Sequence, residues 1–208
     1  MDGVIVDSMP YHFIAWYEAL RPWGVRVNCF DVYSKEGERW DKTLNSLLAR
    51  AKIKPTKKVL AQIFLSRQKL FKRYFKRYIF RGAPELLVYL KKYGFVLGLV
   101  TGTPQEEIRR ILPAQIKNAF DCIVAGNEVK NGKPHPEPYL KASAALGLDP
   151  AECLVVENAP FGIESAKSAG MTCIAVTTSL PKEYLKRADL VVRELGEIAK
   201  IIDKSRSL

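Results

Sequence analysis

The alternation of short apolar runs with helix-like blocks over residues 85–193 constrains the fold of this chain more than any other feature. Val96-Leu97-Gly98-Leu99-Val100 is apolar without a polar face, the pattern of a strand buried on both sides. Phe120–Ala125, Cys153–Val156 and Thr172–Val176 repeat it, and Asp189–Val192 is a shorter fifth run. Between them lie helical stretches. One starts at Pro84, with proline in its first turn and Gly94 as its stop. Thr103-Pro104-Gln105-Glu106 opens the next, with Thr103 as cap and Glu106 completing a capping box. Others run from His135 to Leu146 and from about Pro160 to Ala169, where Gly170 follows. Strands separated by helices predict an α/β fold with a Rossmann-like parallel sheet covered on both faces. In such sheets the ligand site lies beyond the carboxyl ends of the strands.

Residues 8–80 read differently: they are helical and carry little strand pattern. Leu70, Phe71, Tyr74, Phe75, Tyr78 and Ile79 recur at helical spacing, with Lys69, Lys72, Arg73, Lys76 and Arg77 opposite them. This predicts an amphipathic helix over 67–81. Its bland reading is a core-facing stripe with a solvated basic face; its sharper reading is a surface for nucleic acid or membrane.

The length of 208 residues fits one α/β domain, or a core with a small insertion. A net charge of +11 suits either nucleic acid or small anionic substrates such as phosphate esters, and charge alone does not choose. No apolar run approaches the ~18–20 residues of a membrane span, and no signal-peptide pattern opens the chain. The cysteines at 29, 122, 153 and 173 are far apart and form no CxxC pair. They are expected to be buried thiols in a reducing cytoplasm.

Four polar clusters fall at strand ends: Met1-Asp2-Gly3-Val4-Ile5-Val6-Asp7-Ser8, Leu99-Val100-Thr101-Gly102-Thr103, Gly132-Lys133-Pro134-His135-Pro136 and Val155-Val156-Glu157-Asn158-Ala159-Pro160-Phe161-Gly162. Each has a use if the substrate is a phosphate ester. Glu157 and Asn158 are oxygen ligands for Mg²⁺ on a rigid support. Thr101, Gly102 and Thr103 combine hydroxyls with backbone N–H groups at a helix start, which suit phosphoryl oxygens. Lys133 can neutralise charge on a transferring phosphoryl group, and Asp2 can exchange a proton with the leaving or attacking oxygen. Each signal is weak alone. Their order on one parallel α/β pattern is specific.

In that order they resemble the motifs of the haloacid dehalogenase superfamily, in the subgroup of β-phosphoglucomutase and phosphoglycolate phosphatase. Asp2-Gly3-Val4 matches the second half of the family's Asp-x-Asp-Gly-(Thr/Val) motif. Thr101, Lys133 and Glu157-Asn158 match the later three motifs, and Gly162 and Gly170 the glycines of the following helix. The resemblance covers Asp2 to about Leu195. It implies a core formed by residues 1–8 and 82–208, with a helical cap inserted at 9–81.

The resemblance also implies a two-step reaction through an aspartyl-phosphate, with Asp2 as general acid and then base. Thr101 and Lys133 would steady the phosphoryl group, and Mg²⁺ would be held by Asp2, Glu157 and Asn158. His12 matches a histidine that assists the general acid, and Arg39 sits where a cap arginine can meet a distal anionic group. Gly102 and Thr103 complete the expected substrate contacts.

Two departures stand out. The family's nucleophilic aspartate would directly precede Met1, together with the central strand leading to it. A mis-assigned start codon or a truncated record is the expectation, and a chain beginning at Met1 is expected to expose the flanks of neighbouring strands, to be unstable and to be close to inactive. Asn158 also stands where aspartate is commoner, removing one negative charge from the metal site. The leading reading is a cytoplasmic, monomeric, Mg²⁺-dependent phosphatase of a small phosphorylated metabolite, with no membrane or nucleic-acid partner. The alternatives are a sugar-phosphate mutase and a non-catalytic basic binding protein.

Overall fold

A computed structural model describes residues 1–206. Every strand ladder in it is parallel, but the ladders fall into two sheets. β1 (Gly98–Val100) pairs with β2 (Cys122–Val124), Leu99 opposite Ile123. β3 (Leu154–Glu157), β4 (Thr172–Val176) and β5 (Leu190–Val192) form the second, Glu157 opposite Ala175 and Ala175 opposite Val191. The single sheet expected from the sequence is therefore divided: among the described residues no strand pairs with both β1 and β3. The flanks are only partly exposed. Leu154 is 41% and Val96 49% accessible, while Leu99 and Val155 are buried.

Helices cover these sheets: α5 (Ala83–Lys92), α6 (Gln105–Ile111), the short α7 (Ala114–Lys117), α8 (Glu137–Leu146), α9 (Pro160–Ser168) and α10 (Gly196–Arg206). Val6, Leu99, Ile108, Ile111, Ile174 and Val176 belong to the main core beneath them. Residues 1–6 coil back on themselves, with the N–H groups of Val4, Ile5 and Val6 all donating to the carbonyl of Met1. The coil returns to the core through a bridge between Val6 and Ile79.

The rest of the first eighty residues forms α1 (Met9–Leu20), α2 (Cys29–Tyr33), α3 (Trp40–Arg50) and α4 (Lys57–Tyr74), with α1 packed along α4. These helices have an apolar centre of their own, including Trp16, Leu20, Leu44, Leu48 and Ile63. The amphipathic helix expected over 67–81 is corrected. α4 starts ten residues earlier, capped by Thr56, and ends at Tyr74. Phe75 leaves helical geometry (ψ 124°), and Ile79 pairs with Val6 rather than continuing a helical stripe. Arg77 turns its guanidinium to the carbonyls of Arg110 and Ile111 at the end of α6, so part of the basic face caps a helix.

Two further expectations need correction. Thr103 does not cap α6; its hydroxyl is spent on Asp2, and Asn127 Oδ1 accepts from the Gln105 N–H instead. Among the cysteines only Cys173 is buried. Cys122 and Cys153 are half-buried and Cys29 is exposed, because it sits at the first position of the short α2, away from the sheets.

Candidate active site

The strand ends bring the sequence clusters together. Asp2 lies buried in the coil of residues 1–6. One of its carboxylate oxygens accepts from Ser8 Oγ at 2.5 Å and from His12 Nε2 at 3.2 Å. The other accepts from Thr103 Oγ1 at 3.0 Å and Thr101 Oγ1 at 3.4 Å. Burial alone would raise the Asp2 pKa; the hydrogen bonds from His12 and Ser8 outweigh it and hold the carboxyl below its ordinary value. Thr101 Oγ1 also accepts the Thr103 N–H at 3.1 Å, which fixes both hydroxyls beside the acid.

His12 bridges core and helical region. A guanidinium has no acceptor, so the contact of Arg67 Nη2 with His12 Nδ1 makes Nδ1 the acceptor and leaves the ring proton on Nε2, facing Asp2. The ring stacks on Phe71 with centroids 4.4 Å apart. Arg67 is buried over Trp16 and Phe71, and its Nε is the one buried side-chain polar atom without a partner among the described residues.

A second buried group forms at the end of β3. Lys133 Nζ donates to Glu157 Oε1 at 2.5 Å, Tyr139 OH donates to the same oxygen at 2.6 Å, and the Asn158 N–H donates to Oε2 at 3.0 Å. Burial pushes Glu157 up, but the Lys133 charge and these hydrogen bonds win and hold it below its usual range. Tyr139 is pushed well above its usual value by burial and by the Glu157 charge. Asn158 donates to Ser179 Oγ at 2.9 Å. Gly3 is held at φ +68°, and a Cβ there would lie 2.0 Å from Asn158 Nδ2, so only glycine lets the coil approach β3.

Of the expected substrate contacts, Gly102 touches the helical region directly: a Cβ on it would lie 2.7 Å from the Cα of Gly37. Arg39 reaches the same narrow hollow as Thr101, Gly102 and Lys133. Its guanidinium is committed, Nε to Asp41 at 3.2 Å and Nη1 to the Val129 carbonyl at 3.4 Å. It stands here as a strut between the two regions. An open cleft adjoins the hollow, with His12, Trp16, Trp40, Phe64, Gly102 and Thr103 in its lining.

The sequence reading did not single out Ser8, Glu36, Arg67, Tyr139 or Ser179. Ser8 carried a signal, since it closes the Asp2 cluster, but no role was assigned to it. Arg67 carried none, because a lone arginine on an amphipathic helix reads as solvated.

The proposed metal donors Asp2, Glu157 and Asn158 present only oxygen to a cation, together with amide nitrogen that does not bind one. Among the described residues no three His, Cys, Asp or Glu side chains converge as a ready cage. Oxygen is the donor type that Mg²⁺ takes from a protein.

Comparisons with known proteins agree with this layout. A family model described as haloacid dehalogenase-like hydrolase matches residues 1–176. A phosphorylated carbohydrates phosphatase of Thermotoga maritima is 31% identical over 82% of this chain and 79% of its own length. A validoxylamine A 7'-phosphate phosphatase of Streptomyces hygroscopicus is 36% identical over 56% of this chain, a match spanning 55% of that protein. The crystal structure of a β-phosphoglucomutase from Clostridium difficile superposes with a TM-score of 0.85, covering 99% of this chain and 94% of that one; at 24% identity this is a likeness of fold.

Proposed function

Because the chain belongs to the haloacid dehalogenase-like hydrolases, we propose that the cluster around Asp2 carries out proton transfer in the hydrolysis of a small phosphorylated carbohydrate. The enzyme is a phosphoric monoester hydrolase, and its sugar-phosphate phosphatase relatives support that class. The observation that carries the assignment of roles is the hydrogen-bond set on Asp2, which gives a buried acid four fixed donors and places it beside Thr101 and Thr103.

The phosphoryl group passes to a carboxylate at the position ahead of Met1 that the family motif assigns to the nucleophile. The bond from phosphorus to the ester oxygen breaks, and that oxygen takes a proton from Asp2. Water then attacks the aspartyl-phosphate, Asp2 takes its proton, and inorganic phosphate leaves. The resting Asp2 has the ionised form the second step needs. A dianionic phosphoryl group nearby raises a carboxyl pKa and favours the form the first step needs. Thr101 donates its hydroxyl and Lys133 its charge to the phosphoryl oxygens. Bound Mg²⁺, held by Asp2, Glu157 and Asn158, would supply neutralising charge at the phosphoryl group.

His12 orients Asp2, and residues 9–81 act as the cap over a core of 1–8 and 82–208. Arg39, Gly102 and Thr103 face the bound ester. The protein works in the cytoplasm, which its four free cysteines favour. No helix among the described residues is long and apolar enough to cross a membrane.

The test is phosphate release from a panel of sugar monophosphates by the full natural protein, with any residues that precede Met1 retained. Mg²⁺-dependent release of inorganic phosphate is expected. Isomerised sugar phosphate with little free phosphate would instead mark a mutase, and no turnover at all would end the enzymatic reading.

A further inference from the structure

We infer that the cleft between cap and core takes an uncharged polyol or sugar as the leaving group, and that Glu36 selects against any second anion on the substrate. This rests on the phosphatase reading and narrows it to monophosphates of neutral carbohydrates.

The argument starts from the charged side chains that line the cleft. Lys35 donates to Ser46, Glu38 accepts from Thr43, Glu107 accepts from Gln68, and Arg67 is bound to His12. Arg39 nearby is held by Asp41. Among the described residues of this lining, Glu36 alone has neither a hydrogen-bond nor an ion-pair partner. It is half-buried and follows Lys35 in the loop that seats Gly37 on Gly102. Lys35 and Arg67 are tied to neutral partners and, set against Glu36, Glu38 and Glu107, leave the lining with more acids than bases. Apart from the buried Arg67 Nε, the group left over to meet the substrate is an acid.

The aromatic part of the lining has the complementary character. Trp40 and Phe64 stack with centroids 3.9 Å apart and an interplanar angle of 16°, and Trp16 adjoins them. Flat aromatic faces accept the C–H faces of a carbohydrate, while a lone carboxylate accepts from its hydroxyls. The cleft also touches His12 and Thr103, both bonded to Asp2, so a leaving group held there has its ester oxygen near the proton donor. An ionised Glu36 repels a second phosphate or a carboxylate in the same space. It therefore also disfavours a mutase. Transfer from an aspartyl-phosphate to a second hydroxyl of a sugar monophosphate generates a bisphosphate, whose other phosphate would have to sit against Glu36.

The burial of Glu36 and the nearby Asp2 charge both push its pKa up, opposed by Lys133. Arg67 faces it as well. An acid kept in surroundings that disfavour its charge is a feature that binding, rather than stability, explains.

The experiment compares a hexitol 6-phosphate with phosphoglycolate and a hexose 1,6-bisphosphate, above neutral pH, using the full natural protein and its Glu36→Gln variant. p-Nitrophenyl phosphate serves as a general phosphatase substrate for the unmodified protein. Expected is a kcat/KM for the hexitol ester at least about tenfold above either anionic ester, the size of one substrate contact to a charged group. Glu36→Gln is expected to shrink that ratio by about tenfold without lowering the melting temperature. A natural protein that favours phosphoglycolate or the bisphosphate overturns the inference even if the variant misfolds. A ratio unmoved in a folded variant also overturns it. Hydrolysis of p-nitrophenyl phosphate without preference for the hexitol ester sinks this inference alone; failure on every ester sinks the phosphatase reading beneath it.

Discussion

On the core side of the site, Asp2 and Glu157 are buried, surrounded by donors and held below their ordinary pKa values. In the helical region, the Glu36 side chain is half-buried, has no hydrogen-bond or ion-pair partner among the described residues and is held above its ordinary pKa. The same functional group is thus fully answered in one region and left unanswered a short distance away. The difference separates two tasks. Groups that act on the phosphoryl centre must already be in place before substrate arrives, since reorganisation during reaction adds to the barrier. A group that recognises the variable part of a substrate must keep its hydrogen-bonding capacity free for it.

The largest effect should come from removing a core acid that acts chemically. Asp2→Asn keeps the volume and accepts from Ser8 or His12 through one oxygen only. It leaves nothing to exchange a proton. A loss of about 10²–10⁴-fold in kcat is expected, with a small change in KM. Steady-state rates on the preferred ester check this, and a variant that keeps a tenth of its turnover would remove Asp2 from the mechanism.

Next is the Lys133–Glu157 pair, whose side chains are 7% and 5% exposed. Lys133→Met strands the Glu157 carboxylate in the interior with Tyr139 and one N–H as donors. A destabilisation of about 3–5 kcal/mol is expected. The double variant Lys133→Met/Glu157→Gln should recover part of it, because no buried charge is then orphaned. The pH dependence follows from the sign. A carboxyl held below its unfolded value contributes stability above that value and loses it as pH falls through the folded one. Asp2 and Glu157 both belong to this class, so the natural protein should lose stability on acidification and the double variant should lose less. Urea melts at several pH values measure this; equal acid sensitivity in both proteins would mean Glu157 is not held as described.

How much of this was legible beforehand depends on the kind of signal. Strands β1 to β5 and helices α5, α8 and α9 were readable because buried parallel strands leave continuous apolar runs and the helices carry proline starts and glycine stops. The four strand-end clusters were readable for the same reason: topology places strand ends together. The cap was legible only as helical texture. The end of α4 at Tyr74 was missed because Phe75, Tyr78 and Ile79 continue the apolar period while tertiary contacts to Val6 and α6 take the backbone elsewhere. The role of Thr103 was misread because a threonine before proline is equally a helix cap and a hydroxyl donor to a distant acid. Glu36 and Arg67 have no sequence signature at all; their meaning lies in partners about thirty and fifty-five positions away, or in having none.

The seam that brings the two regions together gives a smaller effect. Gly37 is held at φ +83°, and a Cβ there would meet Lys133 Cδ at 2.4 Å. Gly37→Ala therefore combines a left-handed backbone cost of roughly 1–2 kcal/mol with displacement of a site lysine. Since misplacement near 1 Å costs up to about 10²-fold in rate, kcat and KM should both worsen, more than the loss of stability alone would produce. A variant that melts lower but turns over normally would show that cap seating and Lys133 placement are independent.

The smallest effect is the one that tests the contrast most directly. Glu36 is an acid whose folded pKa lies above its unfolded value, pushed there first by burial and then by Asp2. Linkage gives it the opposite sign to Asp2 and Glu157: its contribution is full below the unfolded carboxyl pKa and declines as pH rises through the folded value. Glu36→Gln should consequently match the natural protein in acid and become relatively more stable towards neutrality, levelling off once the natural Glu36 is fully ionised. Thermal melts across that range read the difference, with Lys133 and Arg67 as the charges that limit it. Adding a saturating neutral sugar monophosphate should narrow the gap, because the ligand's hydroxyls satisfy the natural acid better than the amide. A variant less stable at neutral pH would mean that Glu36 has a structural partner and that cap and core treat their acids alike.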